Sequence, residues 1–114
     1  MNVFIVGTGL IGGSFALDIQ QEYPEAVIYG IDNNSNHLKE AKTLGVIHEE
    51  ASFEDLSNAD IVFVTIPVDT ALAVVPKVLD AVHDNALVID VGSTKERICG
   101  VVKEHAKRRN FLAC

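Results

Sequence analysis

Apolar residues along this chain come in two rhythms. Val3–Val6, "A-V-I-Y-G-I-D", "A-D-I-V-F-V-T-I-P", "A-L-V-I-D-V-G" and "N-F-L-A" are short runs with few polar interruptions. Such runs read as strands buried on both faces. Between them, apolar positions recur every three or four residues. Ile11, Phe15 and Ile19 predict a helix ending near Tyr23, with Pro24 as the stop. Leu38, Ala41 and Leu44 share one face of a second helix, with Ser35 as its cap and Gly45 at the position after its end. Val46 and Ile47 read as a short strand, and "S-F-E-D-L-S-N" as a loop or one helical turn. Residues 68–82 have helical spacing but contain Pro76, which predicts a kink or a break. Ile98, Val101, Val102 and His105 line a last helix before the final strand.

Apolar strands alternating with helices imply a parallel sheet covered on both faces. The length, 114 residues, suits one domain over 1–114, and a chain of that size buries roughly two-thirds of its unfolded surface. No internal repeat or linker is visible. Right-handed crossovers restrict the topology to a few choices.

The formal net charge of -7 argues against a nucleic-acid partner, because phosphate binding needs a basic face. Six of the nine basic residues fall between Lys95 and Arg109, which reads as a solvated helix face. The apolar amino terminus lacks a basic leading region and is interrupted by glycines, so it reads neither as a signal peptide nor as a membrane span. Cys99 and Cys114 have no metal-ligand spacing and read as reduced thiols in a cytoplasmic protein. His37, His48, His83 and His105 form no metal or triad pattern, and none stands at the carboxyl end of a predicted strand.

The candidate chemistry lies where strands end. "V-G-T-G-L-I-G-G" contains Gly7-x-Gly9-x-x-Gly12 between a predicted strand and a predicted helix, and Asp32 follows Gly12 by twenty residues. This is the dinucleotide-binding context. Gly7 permits the tight turn, and Gly9 lets a pyrophosphate approach the backbone. Gly12, helped by Gly13, lets helix and strand pack closely. Leu10 and Ile11 open the helix whose free N–H groups face the phosphates. Asp32 suits the adenosine ribose hydroxyls, with Asn33 beside it. Its charge selects NAD over NADP: a carboxylate about 4 Å from an extra phosphate costs up to roughly 4 kcal/mol at an effective dielectric near 20. Thr65, Ile66 and Pro67 end the fourth strand and are candidates to line the cofactor cleft; Pro67 also serves to begin a helix that Asp69 would cap. The fold class is therefore α/β, a Rossmann-type doubly wound sheet of strand order 3-2-1-4-5-6.

After the fifth strand, Ser93 and Glu96 form an S-x-x-E capping box, which is one role for Ser93. Lys95 and Arg97 sit in the first turn of a helix, where the dipole disfavours cations, and this hints at an anion site.

"G-T-G-L-I-G-G-S-F-A-L", "A-D-I-V-F-V-T-I-P-V" and "V-I-D-V-G-S-T-K" together resemble the prephenate dehydrogenase family of tyrosine biosynthesis. The resemblance covers essentially the whole chain, and its specific part is the last motif. It implies NAD-dependent oxidative decarboxylation of prephenate to 4-hydroxyphenylpyruvate. Ser93 would position a catalytic histidine or the substrate hydroxyl, and Ser93 and Lys95 are the catalytic candidates. The family's H-P-x-x-G motif and its helical domain, which supplies a substrate-binding arginine and a dimer interface, have no counterpart here. The resemblance thus implies the cofactor half of a homodimeric enzyme, inactive toward prephenate by itself. Arogenate dehydrogenase and a stand-alone NAD-binding sensor remain alternatives. A β-hydroxyacid or pyrroline-carboxylate reductase relative would not be expected to carry G-S-T-K. The glycine spacing and Thr65–Pro67 fit a dinucleotide better than a methyltransferase cofactor.

Overall fold

The first strand sets the layering. Successive strand side chains point to opposite faces, so a strand apolar at every position must be covered twice. In the computed structural model, which describes residues 1–91, β1 (Asn2–Val6) meets that demand. Phe4 and Val6 enter one buried cluster, and Val3 and Ile5 enter another. The chain continues through α1 (Leu10–Glu22), β2 (Val27–Ile31), α2 (Ser35–Thr43) and β3 (Glu49–Glu50). A short 3-10 helix (Phe53–Asn58), β4 (Ile61–Val64), α3 (Val68–Ala81) and β5 (Leu87–Asp90) follow. Ala16 of α1 and Leu38 and Ala41 of α2 cover one face of the sheet. Ala71, Val75, Val78 and Leu79 of α3, with Leu56 of the 3-10 helix, cover the other.

Among the described residues all pairings are parallel, in the order β3-β2-β1-β4-β5. This is the Rossmann arrangement as far as the fifth strand; the last helix and sixth strand of the sequence reading lie outside the described residues. The register matters for the site. Val6 pairs with Ile31 on one side and with Val64 on the other. The residues that leave the sheet next, Gly7, Asp32 and Thr65, therefore emerge beside one another at the point where the strand order reverses.

Four local expectations need correction. The short strand is at Glu49–Glu50, not at Val46 and Ile47. The N–H groups of Val46 and Ile47 both donate to the Ala41 carbonyl and so close the end of α2 instead of pairing with β2. Ile47 is still buried, but as a plug between helices and sheet. The cap of α2 is Asn34, one residue before Ser35: its Oδ1 accepts from the N–H groups of Asn36 and His37. Gly45 takes its place after the helix at φ +74°, whereas Leu44 is 68% exposed and leaves the apolar face. Finally, α3 runs unbroken through Pro76, with Asp69 inside its first turn and Pro67 just before it. Proline in a helix interior costs about 3 kcal/mol. Ala71, Val75, Val78 and Leu79, all fully buried, hold the helix on the sheet on both sides of it.

Candidate functional site

The glycine turn is dictated by space. Gly7 adopts φ +95°, a conformation that favours glycine, and its N–H donates to the Ile31 carbonyl at 2.7 Å. A Cβ on Gly12 would overlap the Gly7 carbonyl oxygen, so α1 lies against the turn at backbone contact. Gly13 has more room than the sequence reading supposed: a Cβ there would touch Val46 at 3.7 Å, an ordinary contact. Gly9 differs again. A Cβ on it would meet nothing within 4 Å, and its backbone is extended (φ -71°, ψ -159°). Nothing within the described protein requires a glycine there.

Gly9 is also the N-cap of α1, and among the described residues no side chain caps that helix; its first turn carries no acid. By contrast, Asn34 caps α2, Ser52 and Asp55 form a capping box on the 3-10 helix, and α3 carries Asp69 in its first turn. The N–H groups of the first turn, which includes Leu10 and Ile11, are left for something else. Uncapped donors and the positive end of the helix dipole together suit an anion.

Asp32 stands one strand away. Its Oδ2 accepts from the Thr8 N–H at 2.8 Å and the Thr8 hydroxyl at 3.1 Å; its Oδ1 accepts from the Asn34 N–H at 2.9 Å. His37 Nδ1 lies 3.5 Å from Oδ2. Burial opposes ionisation of Asp32, but the Asn34 N–H, both Thr8 donors and His37 outweigh it, so its carboxyl is held below the ordinary carboxylate range. The carboxylate ties β2 to the glycine loop, and Oδ1 retains capacity for a further donor.

On the other side, the Thr65 hydroxyl is shared between the Gly7 carbonyl at 2.6 Å and the Val6 carbonyl at 3.1 Å. Thr65 thus clasps the glycine turn to the end of β4. It is Ile66 that lines the adjoining cavity, and Pro67 leads into α3. That cavity, about 200 Å³, lies between the ends of β1 and β2 and the side of α3. Gly7, Asp32 and Asn33 form one border; Phe53 and Ile66 give apolar walls. Thr70, Val74 and Lys77, one face of α3, complete it.

The sequence reading did not single out Phe53, Thr70, Val74, Lys77 or the pairing of His37 with Asp32. It also passed over Gly30, where a Cβ would crowd Ile47 and Thr8 at 2.7 and 2.8 Å. A lone glycine within an apolar strand was the available signal for a close approach. Ser93 and Lys95, the capping box at Glu96, and both cysteines lie outside the described residues. Among the described residues no group of acidic, histidine or cysteine side chains could hold a metal ion, and no helix is long and apolar enough to cross a membrane.

The family described as prephenate dehydrogenase, nucleotide-binding domain, matches residues 15–114. The chain belongs to that family. The match begins after the glycine loop. Prephenate dehydrogenase of Bacillus subtilis is 33% identical over 99 residues, covering 84% of this chain and 27% of the relative. A crystal structure of Aquifex aeolicus prephenate dehydrogenase superposes with a TM-score of 0.83 at 32% identity, over 96% of this chain and 40% of that one. A second structure of the A. aeolicus enzyme, in complex with hydroxyphenyl propionate and NAD+, gives 0.79 at 29%, over 92% and 39%. Synechocystis arogenate dehydrogenase gives 0.78 at 25%, over 89% and 37%. The chain spans about a quarter of the length of its Bacillus subtilis relative.

Proposed function

We propose that this chain binds NAD across the carboxyl edge of its sheet and supplies the nucleotide-binding part of an NAD-dependent prephenate dehydrogenase. The observation that carries the reading is the uncapped α1 amino terminus, opened by a Gly9 that no protein atom requires to be glycine. The pyrophosphate is assigned to the N–H groups of Gly9, Leu10 and Ile11, made reachable by the Gly7 turn and the close seat of Gly12. Asp32 takes a ribose hydroxyl on Oδ1. The cavity bordered by Asn33, Phe53 and Ile66 takes the adenine, with Thr70 and Lys77 as its polar groups. Thr65 and Pro67 hold the edge toward the nicotinamide.

When bound, NAD supplies a hydride acceptor. In the proposed reaction that acceptor would take the hydride of the ring carbinol C–H bond of prephenate. The bond to the ring carboxylate breaks, carbon dioxide leaves, and that electron pair completes the aromatic ring. The carbinol oxygen keeps its proton in the product, 4-hydroxyphenylpyruvate. Ser93 is assigned to positioning the substrate hydroxyl or the base that faces it, and Lys95 to an anionic group of the substrate. The family resemblance supports a cytoplasmic homodimer as the acting form. Arogenate, which carries an amino group in place of the side-chain keto group, is the second reading, favoured by the likeness to the Synechocystis enzyme.

Calorimetric titration of the 114-residue chain with NAD tests the cofactor assignment; saturable one-site binding is the expected result, and absence of binding would reject it. Turnover of prephenate by the purified chain alone would contradict the assignment of this piece to cofactor binding only. Comparing prephenate with arogenate as substrates of an enzyme that joins this chain to a substrate domain of the family separates the two readings.

A further inference from the structure

Asp32 does not act alone at the ribose end of the site. His37 belongs to the first turn of α2, yet its Nδ1 reaches within 3.5 Å of Asp32 Oδ2. Two Asx contacts hold it there. The Asn34 N–H donates to Asp32 Oδ1 at 2.9 Å, and Asn34 Oδ1 accepts from the His37 N–H at 3.3 Å. The His37 backbone and the Asp32 carboxylate are therefore tied through one short loop, which keeps the imidazole within reach of the carboxylate. Asp32 is the charge that would reject a phosphate on the ribose 2′ oxygen, and the His37 imidazole lies beside it.

We propose that His37 is a specificity-determining residue for the 2′ position of the cofactor: the neutral imidazole leaves the Asp32 charge to reject NADP, and the imidazolium offsets it. The inference rests on the dinucleotide reading above. The surroundings set its size. A cavity of about 350 Å³ between α1 and α2 borders His37, and among the described residues Glu40 of the same helix is the carboxylate that lines it. The glycine loop and α1 contribute Thr8, Gly9, Gly13, Ser14 and Leu17 to it, none of them charged. Lys42, further along α2, is engaged with Glu49 at 3.4 Å. One imidazolium against two carboxylates narrows the preference for NAD without reversing it. The His37 side chain is 48% exposed, so the effect is that of a partly screened pair, about fivefold at low ionic strength.

The test is the ratio of NADP to NAD dissociation constants for the 114-residue chain at about pH 8.5 and about pH 5.5. The ratio should fall about fivefold more at the acid pH in the native chain than in His37→Gln. The 2′-phosphate titrates near pH 6 by itself, but equally for both proteins. His37→Arg, a permanent cation, should hold the ratio low at both pH values. Equal pH dependence in the native chain and His37→Gln would overturn the proposal, as would a His37→Arg protein that binds NADP no better than the native chain at the higher pH. Loss of all dinucleotide binding, NAD included, would instead reject the underlying site and His37's role with it.

Discussion

Gly9→Asp should strengthen the fold and abolish the site. Residue 9 is extended (φ -71°, ψ -159°), which aspartate adopts freely, and a Cβ there meets no atom within 4 Å. It is also the N-cap of a helix with no acid in its first turn and, among the described residues, no side-chain cap. Aspartate would cap the free N–H groups, for a few tenths of a kcal/mol over glycine. Its charge at the positive end of the helix adds about 0.3–1 kcal/mol, and the loss of glycine's freedom in the unfolded chain adds about 0.4–1. The sum is roughly 1–2 kcal/mol of added stability, or about 4–8 °C in Tm for a chain of this size. Binding moves the other way. A carboxylate about 4 Å from a phosphate charge costs up to about 4 kcal/mol at an effective dielectric near 20. A third of that for each of two phosphate charges, about 2.7 kcal/mol, is a hundredfold loss of affinity. Thermal melts without ligand and calorimetric titration with NAD read the two effects separately. A lower Tm, or an NAD Kd within about threefold of the native chain, would refute the assignment of Gly9 to ligand approach.

The neighbouring glycines should divide in a denaturant titration. Gly12→Ala overlaps the Gly7 carbonyl and should destabilise by about 1–3 kcal/mol or more, while Gly13→Ala has room and should gain up to about 1 kcal/mol from helix propensity. Thr65→Val removes the hydroxyl from the Gly7 carbonyl and should cost about 1–3 kcal/mol, with Thr65→Ser retaining most of the stability in the same titration. The lowered carboxyl of Asp32 has a defined sign: its contribution is present above the unfolded carboxylate pKa near 3.9 and is lost as pH falls through the lower folded value. Asp32→Asn should therefore flatten the acid limb of a stability-against-pH curve below about pH 4, and an unchanged limb would count against the Thr8 clasp.

Hydropathy reported burial faithfully and pairing less so. Ile47 is buried as its apolar character implies, but the backbone N–H groups of Val46 and Ile47 are consumed by the Ala41 carbonyl, and no side-chain pattern reveals that. The strand that does pair, Glu49–Glu50, is exposed and charged, which suits a sheet edge and hides it from a search for apolar runs. Ser35 and Asn34 are both competent caps, and the bond from the Asn34 N–H to Asp32 decides between them. Pro76 argued for a break, yet the buried contacts of α3 outweigh one missing backbone bond.

The site divides along the same line. The adjacency of Gly7, Gly12 and Asp32 was legible because a parallel sheet turns sequence spacing into nearness. Val6 is level with Ile31 and Val64, so whatever follows each strand must meet the others. Counting from the glycines to the next strand end was therefore enough to find Asp32. Phe53, Thr70, Val74 and Lys77 come from elements whose approach to that edge depends on how α3 and the 3-10 helix pack, and no spacing rule encodes this. His37 is the instructive case. It lies only five residues beyond Asp32, but at the sequence level it is one helix residue among others. Its meeting with the carboxylate depends on Asn34 bonding in both directions, and such reciprocal contacts appear only once the loop is folded.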